Sequence, residues 1–129
     1  MLPEIATACE NGNDFLRKIL VLYNLIDWMD IQTMRSTLTA EFQDKRSVVV
    51  LEEYLNQKFG TFNPIIIRNL RDIIKLRDNM FPVHKEGEEV IKIFNKLGSK
   101  YPPDDWDFVW EKVVALYIDS IKGLINLLN

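Results

Sequence analysis

The sequence predicts an all-α fold, a helical bundle of five to six helices in a single domain spanning residues 1–129. Two observations predict it. Apolar residues recur at three- and four-residue spacing through most of the chain, and capping residues or prolines stand where those runs begin, with short connections between them. A third sets the class: glycine and proline number five each and charged residues make up 27%, which excludes a disordered, collagen-like or low-complexity chain. At 129 residues and 47% hydrophobic content, the chain can bury one continuous core.

Asn13 or Asp14 is the expected cap of a first long helix, in which Phe15, Ile19, Leu22, Leu25 and Ile26 follow at helical spacing to about Met29. A second helical stretch is expected from Asp30 or Ile31 to about Phe42, with Met34, Leu38 and Phe42 on one side. Residues 45–60 form a third, opened by Ser47 as cap and closed by Gly60 in a left-handed conformation. The Val48-Val49-Val50 run suits a strand, but residues 51–55 continue at helical period and decide for helix. Asn63 caps and Pro64 occupies the first position of a helix running to about Met80. It ends before Pro82, which lacks an N–H and clashes with the carbonyl four residues back. A shorter helix spans roughly Glu86 to Leu97 and stops at Gly98. The turn Pro102-Pro103-Asp104-Asp105 supplies an acidic cap for a last long helix, marked by Trp106, Val109, Trp110, Val113, Leu116, Tyr117, Ile121, Leu124 and Leu128. Neither an internal repeat nor a linker is visible.

Charge and cysteine content narrow the function. Sixteen basic against nineteen acidic residues leave a net charge of −3, so nucleic-acid contact has to be local rather than spread over a basic surface. The single Cys9 cannot form an intramolecular disulfide, which fits a reducing cytoplasm. The Met-Leu-Pro-Glu start lacks a basic region followed by an apolar run, and no apolar stretch approaches 18 residues, so neither secretion nor a membrane span is expected. One histidine and scattered carboxylates give no ligand cluster at zinc spacing, and no glycine-rich loop follows a strand, so no metal and no cofactor is expected.

The residues that attract attention lie between Arg77 and His84. Ile66, Leu70, Ile73 and Arg77 are spaced four, three and four, so the arginine falls on the apolar stripe of its helix. An always-charged group there is costly unless it is paired or lies in a solvated cleft. His84, the only histidine, follows seven residues later, beyond Pro82, and carries the side chain best suited to proton transfer near neutrality. Residues 65–85 hold Arg68, Arg71, Lys75, Arg77 and Lys85 against Asp72 and Asp78, a local balance of +3. Arg68, Arg71 and Lys75 share one exposed face, a stripe that suits a phosphate backbone and equally suits a solvated helix surface.

The segment Arg-Asp-Asn-Met-Phe-Pro-Val-His, residues 77–84, resembles the Arg-x(4–6)-His signature of HEPN domains, in which a polar residue follows the arginine and the motif sits late in a long helix. Asp78 fills the following position. The resemblance implies a metal-independent endoribonuclease acting as a homodimer, in a toxin or defence setting and with an antitoxin or other protein partner. His84 would assist attack of the ribose 2′-hydroxyl, Arg77 would stabilise the developing phosphorane charge, and the products would be a cyclic phosphate and a 5′-hydroxyl. Lys85-Glu86-Gly87 follow the histidine where toxin subfamilies carry a tyrosine, and many HEPN domains serve only as RNA-binding or dimerisation modules.

A structural role accounts for the same residues: Arg77 pairs with Asp78 or a neighbouring glutamate, and His84 caps or lines a loop. The chain is then a non-catalytic helical interaction module. Trp106, Trp110 and Tyr117 read as core or dimer interface before base stacking. The acidic residues Asp104, Asp105, Glu86, Glu88 and Glu89 read as helix starts.

Overall fold

The computed structural model describes residues 6–27, 29, 31–80 and 87–129. Among these residues there are six α-helices, one 3-10 turn and no strand, which is the all-α bundle the periodicity predicts. The helices are α1 Gly12–Asp27, α2 Gln32–Arg35, α3 Ser47–Phe59, α4 Ile65–Met80, α5 Glu88–Lys96 and α6 Trp106–Leu128, with the 3-10 turn at Ala40–Phe42. Among the described residues, no helix is long and apolar enough to cross a membrane.

The bundle is built around α4, against which α6, α1, α5 and α3 all pack. Ile66, Ile67, Leu70, Ile73 and Leu76 give α4 a nearly continuous buried face, and α1 answers with Phe15, Ile19, Leu22 and Ile26. The closest approach is that of α6. Ser120 Oγ donates to Ile66 O at 2.8 Å, Asn69 Nδ2 donates to Leu116 O at 3.1 Å, and a Cβ on Gly123 would stand 2.8 Å from Ile66 Cγ1. Trp110 and Trp106 join Phe15 and Phe94 in an aromatic cluster with edge or tilted contacts, so the tryptophans belong to the core.

Caps explain where helices begin and end, and several differ from expectation. Asn11, not Asn13 or Asp14, starts α1: its Oδ1 accepts from Asp14 N at 2.9 Å and its carbonyl from Phe15 N at 2.9 Å. Asn63 caps α4 as expected, accepting from Ile65 N at 3.1 Å. Asp105 caps α6, accepting from Asp107 N and Phe108 N at 3.0 and 3.2 Å. Gly98, with φ +85°, closes α5 in a pair of bonds from Gly98 N to Asn95 O and Ser99 N to Phe94 O. Gly60 has φ +73° at the end of α3. Ser47 is the first residue of α3 rather than its cap, and its hydroxyl instead donates to Asp27 O at 3.1 Å, tying α3 to the end of α1.

The continuous helix expected to Phe42 is not formed. It stops at Arg35, because Ser36 and Thr37 turn their hydroxyls back onto the carbonyls of Thr33 and Met34 at 2.7 and 2.8 Å. Gln43 Nε2 then takes the carbonyls of Arg35 and Leu38. Leu38 nonetheless reaches a small apolar cluster with Ile31 and Val50, flanked by Met34 and Phe42.

Candidate functional site

Arg77 stands in the last turn of α4. Leu76 beside it is fully buried, whereas the Arg77 side chain keeps 35% exposure and leans toward α1. Its guanidinium carbon lies 4.7 Å from the centroid of the half-buried Tyr23 ring. A cation over a tyrosine face contributes about 0.5–2 kcal/mol, depending on desolvation. Nη1 donates to Asp78 Oδ1 at 3.1 Å, so the two sequence-predicted neighbours do form an ion pair. Nε is buried and makes no hydrogen bond among the described residues. The group is therefore held by one carboxylate and one ring, with a donor of its fork still unengaged by them.

The ring and the guanidinium line a cleft of about 560 Å³ between the end of α1, the residues leading into α3, and the second half of α4. Among the described residues its walls carry five cations, Lys45, Arg46, Arg71, Lys75 and Arg77, against three carboxylates, Asp27, Asp44 and Asp78. Arg46 Nη1 approaches both Tyr23 Oη and Asp27 Oδ1 at 3.4 Å, with its side chain 76% exposed. The floor is apolar, with Ile26, Val48 and Ile74. An apolar floor under a cationic rim suits a ligand with a flat organic body and an anionic group.

Arg71, Lys75 and Asp78 join Arg77 in this cleft, while Arg68 is exposed and lies one turn further back. Arg71 pairs with Glu52 of α3, and Lys75 Nζ stands 3.9 Å from Glu89 of α5. His84 and Lys85 lie outside the described residues. Tyr23 and Arg46 were not singled out from sequence. Tyr23 sits at the edge of the apolar face of α1, and the only available signal for Arg46 was the Lys45-Arg46 pair before a helix start.

Lys18 and Cys9 are buried away from the cleft. Lys18 is fully buried on the core face of α1, and its ammonium donates to Thr7 O at 3.2 Å and lies 5.8 Å from the Trp110 ring centroid. Cys9 is buried, and burial first, then the Asp14 carboxylate, pushes its thiol from 9.0 up to about 11. Such a thiol is a poor nucleophile at neutral pH. Among the described residues no group of three or more histidine, cysteine or acidic side chains is placed to hold a metal ion. Comparison with protein families, with curated proteins and with solved structures finds no match for this chain.

Proposed function

We propose that this chain is an HEPN-like RNA-binding domain and metal-independent endoribonuclease, acting as a homodimer in the cytoplasm, with Arg77 as its phosphate-binding residue. The supporting observation is the cleft itself. In a chain of net charge −3, five cations against three carboxylates line an apolar-floored cavity, and one of the cations is a guanidinium that lies 4.7 Å from a tyrosine ring centroid and whose Nε makes no hydrogen bond among the described residues. A phosphate oxygen is the acceptor that a guanidinium recognises best, through its Nη groups.

In this reading His84 takes the proton of a ribose 2′-hydroxyl as that oxygen attacks the adjacent phosphorus. Arg77 stabilises the charge that builds on the phosphorane; the P–O5′ bond breaks, the 5′-oxygen takes a proton from water to leave as a hydroxyl, and a 2′,3′-cyclic phosphate remains. Asp78 orients the guanidinium through its Nη1 contact. A toxin or defence role, with an antitoxin or other protein partner, belongs to the same reading.

The test is incubation of generic RNA with the purified chain in EDTA, beside Arg77→Ala and His84→Ala. Cleavage should persist in EDTA, vanish with His84→Ala, and fall about 10²–10³-fold with Arg77→Ala. Cleavage that survives His84→Ala, or that EDTA abolishes, overturns the nuclease assignment.

A second reading, a non-catalytic interaction module, is favoured by α6. Phe108, Ile118, Ile125 and Leu128 are exposed on that helix, apolar side chains that a partner could cover. A chain that dimerises yet neither binds nor cuts RNA belongs to this class, and a strict monomer by sedimentation removes the homodimer from either reading.

A further inference from the structure

The cleft at Arg77 has a neighbour. A second cavity of about 420 Å³ lies toward the start of α4, between that helix and α3, and Arg71 and Lys75 line both. The two side chains thus form a cationic ridge with a cavity on either side. The cavities share a plan. Each has a buried isoleucine in its lining, Ile26 in one and Ile67 in the other. Each contains one aromatic ring, Tyr23 or Phe62, and further arginine beyond the ridge, Arg46 and Arg77 in one and Arg68 in the other.

An unpaired nucleotide has the matching anatomy, a flat base with a π face and a phosphate on its sugar. Resting on the RNA reading above, we propose that the second cavity is a subsite for the nucleotide adjoining the one at Arg77, and that Arg71 and Lys75 grip the phosphodiester joining the two. The distance agrees. Nine residues separate Arg68 from Arg77, roughly 13 Å along the axis at 1.5 Å per residue, the reach of a short run of nucleotides rather than of one phosphate. Asn56 at the rim of the second cavity offers an amide donor and acceptor to a base edge. The ligand is single-stranded, because a base has to leave its stack to enter a cavity.

The ridge cations are already paired, Arg71 with Glu52 and Lys75 with Glu89, but all four side chains are 38–51% exposed. Exposed pairs of this kind are weak, worth less than a charge-assisted bond to phosphate, so a phosphodiester would displace the glutamates. Removing a glutamate should therefore strengthen binding, whereas a purely structural ion pair predicts no such gain.

The experiment is fluorescence anisotropy with a labelled single-stranded decaribonucleotide, the same strand in a duplex, and a labelled mononucleotide. It compares the native chain with Glu52→Gln, Glu89→Gln, Arg71→Gln/Lys75→Gln and Arg77→Ala, each checked for an unchanged helical spectrum. Glu52→Gln and Glu89→Gln should each tighten single-strand binding about threefold, the equivalent of one exposed ion pair. Arg71→Gln/Lys75→Gln should weaken it about tenfold, and should weaken the mononucleotide less, because that ligand has no phosphodiester for the ridge to grip. Unchanged or weaker binding in both glutamate variants, while Arg77→Ala still weakens it, overturns the second subsite and leaves the Arg77 cleft standing. Equal affinity for duplex overturns the subsite as well. No RNA binding by the native chain removes the RNA reading and this inference with it.

Discussion

Cys9 lies where the residues before α1 meet the start of α6, its backbone N donating to Asp107 Oδ1 at 2.8 Å and its Sγ facing Asn11 O at 3.6 Å. Because burial raises its thiol to about 11, the folded state holds a proton that the unfolded chain releases as pH rises through 9.0. Between those values the folded state binds more protons, so stability falls as pH rises; the contribution is complete below 9 and lost on passing 11. Thermal unfolding followed from pH 8 to 10.5 should show this fall, and Cys9→Ala should flatten it. An alkylating reagent should also leave the folded thiol intact at pH 8. Rapid labelling there would mean that the thiol is exposed. At this scale the sequence was only partly readable. Arg77 was legible because a charge interrupted an apolar register, and its pairing with Asp78 because the two are adjacent. Tyr23 was not legible, since its meeting with Arg77 depends on how α1 crosses α4, 54 positions away in sequence, and no local pattern encodes that crossing. Lys18 was hidden for a similar reason: a long amphipathic stem at a core position reads as a surface lysine until Thr7 folds over its ammonium.

Helices were legible where a cap and a periodic stripe agreed. Asn63 and Asp105 announced α4 and α6 to within a residue, because each side chain accepts the bond its position suggests. The stretch after α2 was misread because Ser36 and Thr37 compete with the backbone for the same carbonyls, an effect that apolar spacing does not register. Contact between elements gives a sharper test at Gly123. Alanine there gains about 1 kcal/mol of helix propensity, which argued alone would stabilise α6. Its Cβ, however, meets Ile66 Cγ1 at 2.8 Å, and overpacking of this kind costs about 1–3 kcal/mol. Steric cost should win. Gly123→Ala is expected to destabilise by about 1 kcal/mol in urea unfolding, and combination with Ile66→Ala, which empties the site, should recover that increment. A Gly123→Ala chain more stable than the native one would show that α6 stands further from α4. At the other end of α6, Asp105→Ala removes the acceptor for two backbone N–H groups and should cost about 1 kcal/mol.

Over the whole molecule, charge is unevenly shared: net −3 overall, but cationic along one flank of α4 and around the cleft. An acidic protein repels a polyanion from most of its surface, so the proposed RNA association would be confined to the flank where the sign reverses. On the RNA reading proposed above, the flank would offer three phosphate positions, at Arg68, at the Arg71–Lys75 ridge and at Arg77. Each contact to a single strand contributes about −0.7 to the slope of log affinity against log salt, so the expected slope is about −2. Raising salt from about 50 to about 200 mM should then reduce single-strand affinity about twentyfold. Arg68→Gln should make the slope shallower by about 0.7 while leaving any cleavage chemistry at Arg77 in place, because it lies in the outer cavity alone. A slope steeper than about −5 would require phosphates over far more of the surface than this flank provides, and would place the binding face elsewhere.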